Sequence, residues 1–273
     1  MIRAAGRRIG WLLALAAVVV AVGIGLLMAP SDRSVSHSSG SPVPATDASA
    51  RMLPPPVTGF AVPEARELGG QADVTRWAPV LRSTQARQRP SFTSPAVVSV
   101  GRVTPEGTTN LVDAEGEVTR GGTTWVHARL AVLPDGRTGW LPRNALGGWS
   151  FVSTRAVIDR AHLQLTLYRN GMVIFRAPVG IGQPGTPTPT GQFYIRDRLT
   201  AYASPVYGPL AFGTSARSPY ETDWPAGGFI GIHGTDQPNL IPGRISHGCI
   251  RLRNAAITRL GQLMPVGTPV TIQ

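Results

Sequence analysis

Leu163 to Val179 reads LQLTLYRNGMVIFRAPV, and it sets the expected class of fold. Leu163, Leu165 and Leu167 alternate with Gln164 and Thr166, the period of a strand with one buried face. Arg169-Asn170-Gly171 makes the turn, and Met172 to Val179 returns as the second arm of a hairpin. Gly191 to Ile195 (GQFYI) and Val270 to Gln273 read as further strands. The clearest helix starts at Asn254, a good N-cap; Ile257, Leu260, Leu263 and Met264 share a face, and Pro265 ends it. Strands do not alternate with helices as in a doubly wound sheet. Residues 150–273 are therefore expected to be mainly β, with one short helix.

Upstream, residues 76–149 read as five short strands (WAPVLR, AVVSVGRV, TNLVDAEGEV, TWVHARLAVL and TGWLPR). Turn signals at Pro105-Glu106-Gly107, Gly121-Gly122 and Asp135-Gly136 separate them. Five strands in so short a span suggest a small barrel. The run W-V-x-A-R-L…L-P-D-G-R-T-G-W-L-P-R resembles bacterial Src-homology-3-like domains, with Trp125 and Trp140 as its aromatic markers. Such domains bind wall peptides or pack on a neighbouring enzyme; both tryptophans also suit an ordinary core.

Residues 31–75 are rich in Ser, Pro and Ala without sustained periodicity, and read as a flexible tether. Before them, Ile9 to Pro30 carries no charge. As a helix, that run reaches roughly 33 Å, enough to cross a bilayer. Arg3, Arg7 and Arg8 precede it, so residues 1–30 read as a basic cytoplasmic tip and a transmembrane anchor. A cleaved signal peptide is the competing reading; the run is long for one and ends in a poor cleavage site. The rest of the chain is then expected outside the cytoplasm.

The chain has 273 residues, with 26 basic residues, 15 acidic ones and a net charge of +11. Every basic residue is Arg. Outside the membrane this excess suits anionic lipid headgroups or an acidic wall polymer better than nucleic acid, or simply a solvated surface. The single Cys excludes an intrachain disulfide and a Cys-rich zinc module.

That thiol, Cys249, lies in SHGCIRLRN (Ser246 to Asn254), sixteen positions after His233 in GFIGIHGT. A lone Cys is often a small buried apolar residue. Here two of the five His residues lie in the same stretch, Gly231, Gly234 and Gly248 allow close backbone approach, and Ser246, His247 and Arg251 are polar. An unassisted thiol is mostly protonated at neutral pH, so a nucleophile needs an imidazole within reach. The imidazole in turn needs an acceptor for its other nitrogen, and the Gly234 carbonyl would serve. The amides of Gly248 and Cys249 could meet an oxyanion if they form a tight turn. The set suits acyl transfer through a thioester, its rate rising as the Cys–His pair reaches its ionic form. His247, two residues from Cys249, shares its face if the strand is extended. His233 is remote but could close on it. The residues alone leave both open.

His233-Gly234-Thr235 followed by Ser246-His247-Gly248-Cys249-Ile250-Arg251-Leu252-x-Asn254 resembles the signature of the L,D-transpeptidase catalytic domain, over roughly 150–273. Thr188 to Ile195 (TPTGQFYI) is similar to a strand segment of that family. The resemblance implies Cys249 as nucleophile, His233 as proton donor and acceptor, and Ser246, His247 and Gly248 as pocket-shaping residues, with Arg251 near substrate carboxylates. It further implies peptidoglycan stem peptides as substrates. The thiol attacks the third residue of a tetrapeptide stem, D-Ala leaves, and an amine of a second stem takes the acyl group to give a 3→3 cross-link. In that family carbapenems acylate the matching Cys. No metal or organic cofactor is implied, and a monomer is expected. Between Leu199 and Phe229, a Tyr-, Pro- and Gly-rich stretch reads as a lid or groove wall, with Tyr202, Tyr207 and Trp224 on substrate, or as a surface loop. Three rivals stand beside this reading: a zinc site on His233, His247 and Cys249, a non-catalytic wall binder, and hydrolysis at the same thiol.

Overall fold

The computed structural model describes residues 66–67, 74–200, 204–221 and 228–273. The anchor, most of the tether, Tyr202 and Trp224 lie outside the described residues. Among those described, no helix is long and apolar enough to cross a membrane.

Two sheets account for the strands. The first holds β1 (Arg66–Glu67), β2 (Thr75–Pro79), β3 (Thr84–Arg87), β4 (Ala96–Val100), β5 (Leu111–Arg120), β6 (Thr123–Arg129), β7 (Thr138–Pro142) and β8 (Ser150–Val152). Its order is β4-β3-β7-β6-β5-β2-β8, with β1 on β5, and every pairing is antiparallel. Gly121 and Gly122 both have positive φ (55° and 73°), so β5 and β6 are joined by a two-residue turn whose twist matches the strands. Trp125 is core, at 1% exposure. Trp140 is half-buried, its ring centroid 4.8 Å from that of His127.

The second sheet holds β9 (Thr154–Asp159), β10 (Gln164–Arg169), β11 (Met172–Pro178), β12 (Gly180–Gly182), β13 (Gly191–Leu199), β14 (Ala211–Arg217), β15 (Phe229–His233), β16 (Gly243–Ser246), β17 (Ile250–Arg251) and β18 (Pro269–Ile272). Its order is β11-β10-β9-β18-β13-β14-β15-β17-β12-β16. The pairs β9–β18, β15–β17 and β12–β16 are parallel. The hairpin read from Leu163–Val179 is β10–β11. Its loop is only Asn170-Gly171, both at positive φ (49° and 76°), because Arg169 still pairs with Met172. Leu165 and Leu167 are fully buried.

The single α-helix, α1 (Asn254–Leu263), packs Ile257 and Leu260 into the same core, with Met264 just beyond its end. Asn254 is the first helical residue and not the cap. Arg253 takes the cap position with extended backbone and no side-chain cap bond. The reason is that Asn254 Oδ1 accepts the Thr235 N–H at 2.9 Å. A second correction concerns the stretch read as a lid or surface loop. Its residues Ala211–Arg217 form β14, inside the sheet and buried from Ala211 to Ala216. Small residues on both faces hide the alternation that marks a strand. At Gly213 a Cβ would collide with the Asp197 carboxylate, which accepts the Gly213 N–H at 2.9 Å.

The two sheets touch through specific groups. Tyr194 donates its hydroxyl to the Leu111 carbonyl (3.3 Å), and Arg196 pairs with Glu106 at 2.6 Å. The Trp77 indole lies so close over Gly267 that a Cβ there would overlap it.

Candidate active site

The site is built where β15 and β17 run parallel. Ile232 is opposite Ile250, and His233 is opposite Arg251. Both isoleucines are at 0% exposure, so the pleat turns Gly231, His233, Cys249 and Arg251 to the other face. Gly231, next to Cys249 in this register, has no side chain to separate sulfur from ring. A Cβ on Gly231 would lie 3.8 Å from Cys249 Sγ and 3.5 Å from His233 Cδ2. Thiol and imidazole therefore share the space above one glycine, and the Gly231 N–H donates to Sγ at 3.3 Å.

His233 is 2% exposed, and its Nδ1 meets the Gly234 carbonyl at 2.6 Å. A carbonyl accepts only, so Nδ1 carries the proton and neutral His233 keeps Nε2 as an acceptor. Burial lowers the imidazole to about 4, helped by the nearby Arg251 charge and opposed by the Gly234 bond. Burial also pushes the partly exposed Cys249 thiol above its usual range, against the Gly231 N–H and Arg251. The resting pair is thus thiol and neutral imidazole. Alkylation of Cys249 by iodoacetamide should climb about tenfold per pH unit from pH 6 to beyond 8, following the thiolate fraction. A plateau between pH 5 and 7, read by intact mass, would show a resting ion pair instead.

The loop before the sulfur is held by two side-chain hydroxyls, those of Ser246 and Thr188. Ser246 Oγ donates to the Cys249 carbonyl (2.6 Å) and accepts the Gly248 N–H (3.2 Å). Thr188 Oγ1 accepts the Gly182 N–H (2.9 Å) and donates to the Gly248 carbonyl (2.7 Å). This corrects the expected oxyanion pair: the Gly248 amide is engaged by Ser246, leaving, of the two, the Cys249 amide. Gly248 has φ +119°, a conformation that L side chains rarely adopt. The chain bends at His247 and Gly248, so the extended-strand argument for His247 fails, and its side chain is exposed. His233 is the imidazole that the fold sets on the face of Cys249.

An open cleft surrounds these groups. Val206, Tyr207, Phe229 and Ile230 give it apolar walls, with His247 and Arg251 also lining it. Tyr207 meets the His233 ring edge-on, centroids 4.8 Å apart. Arg251 Nε is buried and lacks a hydrogen-bond partner among the described residues. No group of three or more His, Cys, Asp or Glu among those residues is placed to hold a metal ion.

Sequence reasoning missed the positions of Thr188 and Asn254. Both stood inside quoted motifs, but their partners are remote in the chain. Asn254 locks the turn after His233: a Cβ on Gly234 would collide with its Oδ1, and Gly208 packs against the same atoms.

Residues 153–272 match the YkuD family, the L,D-transpeptidase catalytic domain. The chain is 37% identical over 108 residues to the putative L,D-transpeptidase YkuD of Bacillus subtilis, covering 40% of this chain and 58% of that one. It is 31% identical over 186 residues to the probable L,D-transpeptidase YbiS of Escherichia coli, covering 60% and 55%. It thus spans a little over half the length of these curated relatives. The solution structure of the catalytic domain from the E. faecium L,D-transpeptidase is 27% identical, with 44% of this chain and 96% of that one covered and a TM-score of 0.34. The match to the L,D-transpeptidase catalytic-domain family thus falls on residues 153–272, the part with the β-rich architecture and the single short helix described above.

Proposed function

We propose that this protein is a peptidoglycan L,D-transpeptidase in which Cys249 carries the acyl group and His233 moves the protons. The observation that carries the reading is the space above Gly231, which the sulfur and the imidazole both border, with His233 Nδ1 fixed on Gly234. As Sγ attacks the carbonyl of the third residue of a tetrapeptide stem, its proton passes to Nε2. The tetrahedral intermediate collapses, its C–N bond breaks, and D-Ala leaves as an amine with the proton from His233. The acceptor amine then attacks the thioester, gives its proton to His233, and Cys249 leaves to recover it. The Arg251 side chain on the cleft wall suits a stem carboxylate. Ser246, His247, Gly248 and Tyr207 shape that wall, and Tyr202 and Trp224 are proposed to extend it.

The rest of the organisation is proposed on the same footing: residues 9–30 as a membrane anchor, residues 31–75 as a tether, and residues 76–149 as a Src-homology-3-like module. The catalytic domain would then work outside the cytoplasm. Hydrolysis is the second reading, because Cys249 is partly exposed and water can reach a thioester there. Incubating the full chain with disaccharide-tetrapeptide, then digesting and weighing the products, separates the two. We expect a dimer with one D-Ala lost. Tripeptide stems alone would overturn transfer.

A further inference from the structure

We infer that the first sheet holds a wall of the active-site cleft in place, with Glu106 and Asp135 as positioning residues that act on Phe229 through two arginines. Phe229 lines the cleft beside Ile230 and Cys249. The Arg196 guanidinium lies 3.6 Å from the centre of its ring and that of Arg217 4.8 Å. Each arginine is tied to a loop that joins strands of the first sheet. Arg196 pairs with Glu106 at 2.6 Å, and its side chain is 3% exposed. The Arg217 N–H donates to Asp135 Oδ1 at 3.0 Å.

Both arginines are aimed by irregular strands. The register of β13 on β14 steps from Ile195–Thr214 to Asp197–Gly213, leaving Arg196 as an extra residue. The register of β14 on β15 steps from Gly213–Gly231 to Arg217–Phe229, so three residues of β14 face one of β15. Such bulges bend a strand and redirect a side chain. Arg196 also lies 3.3 Å from Asp197 Oδ2. Glu106 therefore competes with Asp197 for one guanidinium. Without the Glu106 charge, Arg196 is drawn toward Asp197 and off the Phe229 face, which loses a desolvated cation–π contact.

The test uses the full chain with 4-fluorophenylalanine at position 229 and fluorine NMR, a readout that needs no activity. Glu106→Gln and Asp135→Ala should each move the fluorine resonance, and Glu106→Asp should restore much of it. The kinetic arm rests on the acyl chemistry proposed above and uses imipenem as the probe. Its apparent dissociation constant before acylation should rise about fivefold, with the limiting acylation rate constant unchanged. If Glu106→Gln does not fold, Asp135→Ala decides. An unmoved resonance in a folded variant overturns the inference, and so does a loss confined to the limiting rate. Absence of any imipenem adduct on the parent chain would sink the proposed function and leave the fluorine result standing.

Discussion

Intact-mass spectrometry of the full chain after exposure to imipenem is expected to show one covalent adduct on the parent protein and none on Cys249→Ala. The contrast is all-or-none because the chain contains one Cys. Thioester formation needs a polarisable nucleophile, and Ala offers none. The substitution removes one partly exposed sulfur atom and its bond from the Gly231 N–H, so the fold should survive. Circular dichroism matching the parent would attribute the loss to chemistry. An adduct persisting on the Ala variant would place the acyl acceptor elsewhere and end the proposed mechanism.

The second large effect is expected at His233. With the Cys249 thiol held above its ordinary range by burial, few molecules carry a thiolate at neutral pH. Acylation then depends on a base that takes the proton during attack. His233→Ala should slow adduct formation by about a hundredfold or more, and rising pH should recover part of the loss as the thiol ionises by itself. His247→Ala removes a cleft-lining side chain that does not share the face of Cys249, so it should slow adduct formation much less than His233→Ala does. Equal losses in the two variants would contradict the separation of the imidazoles by the strand register. The sign of the His233 shift matters here. An imidazole held to about 4 is neutral from pH 5 upward, so its base function is present throughout the working range and fails only in acid.

The pattern of the chain made some of this legible. Alternation in Leu163–Val179 gives the β10–β11 hairpin, because a strand with one buried face must alternate. Ile257, Leu260 and Met264 were placed correctly because the helical period is local. Short β3 and β8 escaped notice. Both owe their existence to partners: β3 lies between β4 and β7, and β8 lies at the edge of β2. Strand β14 escaped for another reason, since AFGTSAR is small and buried throughout most of its length and shows no polar face. The cap assigned to Asn254 was wrong because its side chain has a better use 19 residues away, on Thr235.

By itself, the order of residues determined which groups exist to do chemistry: one thiol, a remote and an adjacent imidazole, and the glycines around them. It also determined the strand-rich class, since local periodicity and turn chemistry act over a few residues. Only the folded arrangement decided which imidazole lies on the face of the thiol. The parallel pairing of β15 with β17 puts His233 on the face of Cys249, while the bend at His247 and Gly248 breaks the extended run that would have put His247 there. It likewise decided the protonation of the pair, because burial is set by distant parts of the chain closing over both groups. A side chain's type is written in the sequence, but the solvent it loses and the neighbour it gains come from segments the sequence keeps apart.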